Sequence, residues 1–283
     1  MTIAVEDSEL PSIEDRCLSS WNSFQSSHTS WCKHWALQPV PLVNLVFFLN
    51  VCVLFWAISL VQKSTWLIDI YWTIIPPLIA HFYRAHPAAT YQTLRSVVCL
   101  ALTWVWSIRL THSYLRREKW QLGVREDWRY ADMREQYGLH WWWLSFFLVY
   151  LVQQVMLVGV TLPLAAVHSS TAGWRWLDNA AIAVCVTGLL CAYFADNQLH
   201  SFVEGNVERK KLGKPALPLL DTGLWRYSRH PNYFGEQLWW WGLGLFAVSV
   251  GQPYMLVGAL FNSACLVEGL PVVGARAVTQ DSE

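Results

Sequence analysis

Long apolar stretches, separated by short polar segments, divide most of the chain. They cover approximately residues 41–61, 66–83, 93–111, 141–166, 174–196, 233–250 and 252–268. Several approach the roughly 20 residues that a membrane-spanning helix needs, so the pattern predicts an all-α fold, a polytopic membrane helical bundle of about seven transmembrane helices. The adjacent Pro76 and Pro77 are expected to kink or break the second helix, because proline removes a backbone donor and crowds the preceding turn.

The composition agrees with a membrane protein. Of the 283 residues, 54% are hydrophobic and only 14% are charged, which is too apolar for an ordinary soluble domain. The formal net charge is +0, so no overall field favours nucleic acid, and no nucleic-acid partner is expected. The seven cysteines include no Cys-x-x-Cys spacing and lie mostly in apolar stretches. They are expected to be small core residues, so no metal site and no disulfide framework is predicted.

Composition also divides the chain into three parts. Residues 1–40 are acidic and then serine-rich, without the basic and apolar regions of a secretory signal, and are expected to form a disordered tail. Residues 41–268 are predicted to form the transmembrane domain. Residues 269–283 form a short C-terminal tail of small residues that contains no tyrosine.

Basic residues are distributed unevenly between the two predicted sides of the membrane. With seven spans, fourteen Lys and Arg residues fall on one side and five on the other, while Arg109 lies within the third span. Lys and Arg accumulate in short cytosolic loops. The loops at 112–140 and 197–232 and the C-terminus are therefore predicted to face the cytosol. The N-terminus is predicted to face a lumen or periplasm.

The segment 221–236 concentrates charged, polar and aromatic side chains at the start of an apolar stretch. The basic residues just before that stretch, which suit an anion, are Arg226, Arg229 and His230. Asn232 and Glu236 are four residues apart and therefore share one face of a helix, where they suit an amide. A basic anchor at the membrane interface is the alternative interpretation of an Arg-His-Pro sequence.

Three further polar residues lie inside or beside apolar stretches, and each has two interpretations. Asp69 could donate a proton to a substrate carbonyl, or it could be a carboxylate near a helix end. Arg109 could serve a binding site, or it could extend its side chain to the membrane interface. Asp196 could bind a ligand, or it could pair with His200 one helical turn away.

Several sequence motifs occur in order along residues 66–268. They are Asp69-Ile-Tyr-Trp, Trp106-Ser-Ile-Arg109, Glu126-Asp-Trp-Arg-Tyr130, Trp143-Leu-Ser-Phe-Phe, Ala195-Asp-Asn-Gln198 and Trp225-Arg-Tyr-Ser-Arg-His-Pro-Asn-Tyr-Phe-Gly-Glu236. In these motifs the chain resembles the steroid 5-alpha-reductase-like membrane family, in particular a branch of uncharacterised relatives that carry the last motif. The resemblance implies a seven-helix bundle that encloses NADPH from the cytosolic side, with a steroid- or lipid-like substrate entering from the bilayer.

The resemblance also implies an activity. Members of this family reduce a carbon–carbon double bond, commonly one conjugated to a ketone, by hydride transfer from NADPH. An acidic side chain and a tyrosine polarise the carbonyl oxygen. The chain is thus expected to be an oxidoreductase acting on CH–CH groups, and a multi-pass protein of the endoplasmic reticulum. Asp69 and Tyr71 are the candidates for the catalytic acid and the catalytic tyrosine.

A cofactor site is implied in the same way. Asp196 matches the family's cofactor-binding aspartate, and Asn232 and Glu236 match the residues that hold the nicotinamide amide. The full predicted cofactor-binding set is Asp196, Arg226, Arg229, His230, Asn232, Tyr233 and Glu236. Its basic members are expected to lie beside the diphosphate.

The C-terminal tail departs from the family pattern, which keeps two other functions open. Family members continue past the seventh span with paired tyrosines and a basic, proline-containing terminus, whereas residues 269–283 resemble a truncated or alternatively spliced end. Membrane methyltransferases that use S-adenosylmethionine carry a similar Arg-His-Pro-x-Tyr motif. A membrane protein without activity, either a scaffold or a defective isoform, would also fit the altered tail.

Overall fold

The computed structural model describes residues 38–123 and 126–266. Within these residues the chain is almost entirely helical, which confirms the predicted all-α fold. The predicted C-terminal tail at 269–283 lies outside the described residues, and so does the predicted N-terminal tail except for residues 38–40.

Eight helices follow one another in the described residues. They are α1 (Pro39–Gln62), α2 (Trp66–Ala85), α3 (Thr93–Arg117), α4 (Trp128–Tyr137), α5 (141–167), α6 (Trp176–Lys211), α7 (Pro231–Ser249) and α8 (Pro253–Leu266). Within the described residues, each of the seven predicted apolar stretches corresponds largely to one helix, and the polar helix α4 is an addition to them. Two short strands, β1 (Thr90–Tyr91) and β2 (Ser169–Ser170), pair in parallel.

Four helical stretches are long and apolar enough to cross a membrane. They are Pro39–Gln62, Thr93–Arg117, Trp128–Val167 and Trp176–Lys211. Helix α8 is also apolar but shorter. Length and composition together indicate an all-α membrane protein, as the apolar pattern predicts.

Helix α2 passes through both of its prolines without interruption. Pro76 and Pro77 lie inside the helix and are buried. Of the two expected effects, the break is therefore wrong, and the kink stays a prediction. Tertiary packing of the buried rings maintains a helix that the local sequence disfavours, since the surroundings of a segment regularly override its intrinsic preference.

Helix α4 folds back against α5, and Gly138 makes the turn. The Gly138 backbone has a φ of +49°, a conformation that glycine adopts without steric cost. The side chain of Gln153 donates a hydrogen bond of 3.2 Å to the Tyr130 hydroxyl. In one straight helix these two residues would lie about 35 Å apart along the axis. The reversal therefore brings Tyr130 from the polar helix into the core of the bundle.

Helices α6 and α7 make the closest helix contact of the site region. A Cβ atom added at Gly188 would lie 2.6 Å from the Trp239 nitrogen, and one added at Gly235 would lie 2.5 Å from the Ala192 nitrogen. Small residues at a helix interface allow the backbones to approach in this way, which is a common mode of packing in membranes. The close contact fixes α7 against residues 188–192 of α6.

Four tryptophans fill the core between α2, α3 and α7. The Trp106 ring stacks on Trp239 at a centroid distance of 6.2 Å and meets Trp240 edge-on at 4.9 Å. Trp72 meets Trp240 edge-on at 6.5 Å. Large aromatic side chains of this kind bury much apolar surface and hold neighbouring elements at defined distances.

A buried ion pair closes the end of the bundle that is predicted to face away from the cytosol. Arg95 donates to both carboxylate oxygens of Asp178, at 2.9 and 2.8 Å, and to the carbonyl oxygens of Ala172 and Gly173. Both charged side chains are 0% exposed. No local sequence pattern predicts this pair, because its members are 83 residues apart. It ties α3 to the start of α6.

Candidate functional site

An arginine that joins two carboxylates lies between α3, α6 and α7. Arg109 Nη1 lies 3.1 Å from Asp196 Oδ2, and Arg109 Nη2 lies 2.5 Å from Glu236 Oε2. The three side chains are 11%, 16% and 20% exposed, respectively. Arg109 therefore does not extend to the membrane interface as an isolated charge, and its pairing favours the binding-site interpretation.

Uncharged groups complete the hydrogen bonds of the two carboxylates. Trp106 Nε1 donates to Glu236 Oε1 at 2.7 Å. Ser113 Oγ donates to Asp196 Oδ2 at 3.2 Å, and Asn232 Nδ2 donates to Asp196 Oδ1 at 3.3 Å. These bonds bring three of the predicted cofactor-binding residues together, namely Asp196, Asn232 and Glu236. The alternative pairing of Asp196 with His200 is not among the hydrogen bonds of the described residues.

Two buried polar atoms at this cluster have no hydrogen-bond partner within the described part of the chain. They are Asn232 Oδ1, an acceptor, and Arg109 Nε, a donor. Leaving a buried polar atom unpaired costs about 1–3 kcal/mol, so such an atom in a native site calls for an explanation. A primary amide carries both an N–H donor for an Asn oxygen and a carbonyl acceptor for an Arg N–H. The residues present thus fit the amide of a nicotinamide.

A short turn places a basic residue beside this cluster. The turn Gly223–Arg226 is docked on α6, where Gln198 Oε1 accepts a 2.9 Å hydrogen bond from the Leu224 nitrogen. Trp225 Nε1 donates to the Ala195 carbonyl oxygen at 3.0 Å, one residue before Asp196. Gly223 has a φ of +61° and packs directly on the Gln198 amide, where a Cβ atom would come within 2.6 Å.

The basic residues predicted to meet a diphosphate lie on the outside of this turn and after it. Arg226 and Arg229 are exposed, and no ion pair is found for either within the described residues. Exposed guanidinium groups of this kind can bind phosphate through two parallel hydrogen bonds. The turn therefore presents positive charge next to the amide-complementary atoms.

His230 and Tyr233 lie at the start of α7 and stack on one another. Their ring centroids are 5.3 Å apart, and the rings are nearly parallel at 16°. Burial, and then the charge of Arg229, lower the pKa of His230 below its usual value. At neutral pH this imidazole is therefore uncharged. It can act as a hydrogen-bond donor to an oxygen but adds no positive charge for a diphosphate.

The structure does not bring the two candidate catalytic residues together. Asp69 and Tyr71 are two positions apart on α2, so their side chains leave the helix on different faces. The Tyr71 hydroxyl accepts a 3.3 Å hydrogen bond from Asn50 of α1. Asp69 instead lies within electrostatic range of Tyr114 and Tyr130. Their assignment to one catalytic pair stays a prediction.

Several residues of the site were missed by sequence reasoning. Trp106 and Ser113 contact the carboxylates directly. Together with Arg109 they have helical spacings of three and four residues, which place all three on one face of α3. That spacing, read from an otherwise apolar stretch, is the signal that would have identified them. Gln198 belongs to the Ala195-Asp-Asn-Gln198 motif, but the sequence does not predict its hydrogen bond to Leu224 in the docked turn.

Within the described ranges, no group of three or more His, Cys, Asp and Glu side chains is arranged to hold a metal ion. The five cysteines in those ranges are free, and three of them are buried.

Comparison with known proteins gives a family without an assigned activity. Residues 55–283 match the family described as "Protein of unknown function (DUF1295)". The chain is 27% identical over 241 residues to "Uncharacterized protein C594.04c" of Schizosaccharomyces pombe, and the alignment covers 75% of this chain and 69% of that protein. No solved structure matches the chain. Because the family match extends over most of its length, the chain belongs to the DUF1295 family, which is associated with steroid 5-alpha-reductase-like proteins.

Proposed function

We propose that this protein is a membrane-embedded, NADPH-dependent reductase of a carbon–carbon double bond in a steroid- or lipid-like substrate. One observation carries the proposal. Asp196, Asn232 and Glu236 converge with Arg109, and the buried Asn232 Oδ1 atom is left without a donor. This arrangement is complementary to a nicotinamide amide, and it lies where the charge distribution predicts the cytosolic side.

The chain's own residues would hold such a cofactor in two parts. Asn232 Oδ1 and Glu236 would accept hydrogen bonds from the carboxamide N–H groups and Arg109 Nε would donate to its oxygen, while Trp106 keeps the Glu236 carboxylate in place. Arg226 and Arg229 would bind the phosphates from the docked turn. When bound, NADPH supplies the hydride.

The tryptophan core would exclude water from the reacting atoms. Trp106, Trp239 and Trp240 are at most 1% exposed and lie directly against the Glu236 side of the cluster. A site without water protects a hydride donor and strengthens nearby electrostatic contacts. An apolar substrate could reach such a site from the bilayer, and the endoplasmic reticulum is our proposed location.

The test is to measure which nucleotide the purified protein binds in detergent or in nanodiscs. We expect saturable quenching or enhancement of NADPH fluorescence, with S-adenosylmethionine failing to compete. Arg117→Ala is a control for general loss of positive charge, because Arg117 is an exposed arginine of the same predicted face whose ion pair in the described residues is with its neighbour Glu118. This variant should bind NADPH like the wild type.

Two results would reject the proposal. Binding of S-adenosylmethionine without binding of NADPH would identify a methyltransferase-like site. Binding of neither nucleotide would identify a protein without this cofactor chemistry, such as a scaffold.

A further inference from the structure

A chain of hydrogen bonds with a fixed direction ends at Tyr130. Trp72 Nε1 bonds Gln153 Oε1. An indole nitrogen can only donate, so Gln153 must present its oxygen to Trp72 and its amide nitrogen to the other side. Gln153 Nε2 accordingly donates to the Tyr130 hydroxyl oxygen at 3.2 Å. Within the described residues, the hydroxyl hydrogen of Tyr130 then remains a donor without an acceptor.

This donor lies inside the bundle. Tyr130 is only 8% exposed, although it belongs to the polar helix α4, because the turn at Gly138 folds α4 back. Asp69, on the facing helix α2, lies within electrostatic range of Tyr130. Asp69 and Trp72 are three positions apart and share one face of α2, whereas Tyr71 lies on another. One face of α2 therefore carries both the carboxyl group and the residue that orients Tyr130.

Tyr130 is linked to the amide-complementary cluster indirectly, through Gln153, Trp72, Trp240 and Trp106. Trp72 meets Trp240 edge-on at 6.5 Å, and Trp240 meets Trp106, which donates to Glu236. Trp240 also lies one helical turn from Glu236 on the same face of α7.

The residue that precedes Tyr130 in α4 interacts electrostatically with helix α7. Arg129, next to Tyr130, is within electrostatic range of Tyr233 at the start of α7. The charge of Arg129 therefore acts on the first turn of α7.

We infer that Tyr130, rather than Tyr71, donates the hydrogen bond to the carbonyl oxygen of a conjugated substrate, and that Gln153 and Trp72 are its positioning residues. The inference rests on the proposed function. In the reaction the β carbon gains the hydride, and the electron pair of the double bond moves toward the oxygen. Tyr130 stabilises the resulting enolate, and the α carbon then takes a proton that ultimately comes from solvent. NADPH is oxidised to NADP⁺ while the alkene is reduced.

The first experiment replaces only the hydroxyl group. Tyr130→Phe and Tyr71→Phe, which remove the hydroxyl groups of the two candidate tyrosines, are compared with the wild type, using a 3-keto-4-ene steroid and a long-chain alkyl enone as probes. Loss of one donor to a developing oxyanion lowers turnover by roughly 10²- to 10³-fold. We expect this loss in Tyr130→Phe alone, with NADPH affinity unchanged within about twofold in both variants, since neither hydroxyl contacts the proposed cofactor site.

A binding measurement tests the inference even if the protein binds a probe without reducing it. A hydrogen bond to a conjugated carbonyl shifts its ultraviolet absorption to longer wavelength. The wild type and Tyr71→Phe should produce this shift in the bound enone, and Tyr130→Phe should not. An equal shift in all three proteins, or no shift with either probe in the wild type, would overturn the inference.

A Trp72→Phe variant tests whether Trp72 and Gln153 position the Tyr130 hydroxyl group. In Trp72→Phe the Gln153 amide loses the donor that fixes its direction, so its oxygen can turn and accept the Tyr130 hydrogen. Turnover should therefore fall at least tenfold with an unchanged NADPH dissociation constant, although Tyr130 is still present. A Trp72→Phe protein with wild-type turnover and spectral shift would remove the positioning role.

Different results would reject the proposed function and the assignment of Tyr130. If the wild type does not bind NADPH, the proposed function is wrong. If it binds NADPH and reduces a probe, but Tyr130→Phe does so equally well, the proposed function stands and the assignment of Tyr130 is wrong.

Discussion

Arg109 Nη2 and Glu236 Oε2 lie 2.5 Å apart, although 127 residues separate them in the sequence. The ion pair links the middle of α3 to the first turns of α7, where the proposed nicotinamide ligands begin. A second bond from Arg109 to Asp196 adds α6 to the same link. The geometry of the candidate site thus depends on one side chain from a helix that contributes no predicted cofactor ligand.

The first prediction concerns this arginine. Arg109→Met leaves two carboxylates facing each other in a largely buried cluster, without a positive charge between them. Removing one partner of a buried ion pair costs about 3–5 kcal/mol, and the partial exposure here favours the lower end. Thermal unfolding in detergent should show a clearly lower midpoint for Arg109→Met.

A surface arginine supplies the control for this variant. Arg117 pairs with Glu118 but is 63% exposed, so Arg117→Met should change stability by no more than about 1 kcal/mol. Equal midpoints for the two variants would mean that the cluster around Arg109 does not stabilise the fold.

The second prediction concerns cofactor affinity. Asn232→Ala removes the acceptor atom Oδ1, which has no donor within the described residues. Glu236→Gln removes the negative charge of the carboxylate while keeping the size of the side chain. Each should weaken NADPH binding roughly ten- to a hundred-fold, because a hydrogen bond to a charged or well-placed group contributes about 1.5–3 kcal/mol. Fluorescence titration with NADPH gives the dissociation constants.

Gln237 is the matched control for these two variants. It is adjacent to Glu236 on α7, but its side chain accepts a hydrogen bond from Ser263 of α8 instead of facing the cluster. Gln237→Ala should therefore bind NADPH like the wild type. If Asn232→Ala and Glu236→Gln also bind like the wild type, the cofactor residues have been assigned wrongly.

The helices could be predicted from the sequence because hydrophobic length alone determines which segments can lie in a bilayer. Asn232 and Glu236 could also be placed together, since a spacing of four residues puts them on one helix face. Both inferences are local. They depend only on residues that are close along the chain.

The parts that could not be predicted depend on distant neighbours. Whether Arg109 extends to the membrane interface or forms ion pairs is decided by Asp196 and Glu236, which are 87 and 127 residues away. The sequence predicts a loop at 112–140, where the structure has the polar helix α4. The turn that brings α4 back to the core is made at a single glycine, Gly138. Nothing in the local pattern distinguishes that glycine from the others in the chain.

The third prediction tests the close contact between α6 and α7. Gly235→Ala would place a methyl group 2.5 Å from the Ala192 nitrogen and 2.8 Å from the Gly188 oxygen, both backbone atoms. The helices would have to separate, and overpacking of this kind typically costs about 1–3 kcal/mol. The thermal midpoint should fall, and NADPH affinity should fall with it, because Gly235 lies between Asn232 and Glu236.

Gly205 is the control position for Gly235, because an alanine at position 205 should not destabilise the protein. It lies within α6, and an added Cβ atom would meet nothing within 4 Å. Gly205→Ala should leave stability unchanged or raise it by about 0.5–1 kcal/mol, since glycine is unfavourable inside a helix. A stabilising effect of Gly235→Ala as well would show that the helices are not in the contact described.

The last prediction concerns the orientation of the bundle in the membrane. Helix α6 has 36 residues and is therefore about 54 Å long, whereas the hydrocarbon core of a bilayer is about 30 Å thick. Its basic end, which includes Lys211, must project well beyond the bilayer, and the charge distribution places that end in the cytosol. The exposed Ala88, in the connection between α2 and α3, should lie on the opposite side. In a variant without native cysteines, single cysteines at positions 88 and 211 should react with a membrane-impermeant reagent from opposite sides of sealed vesicles. Labelling of both from the same side would overturn this topology and, with it, the cytosolic access that the proposed cofactor site needs.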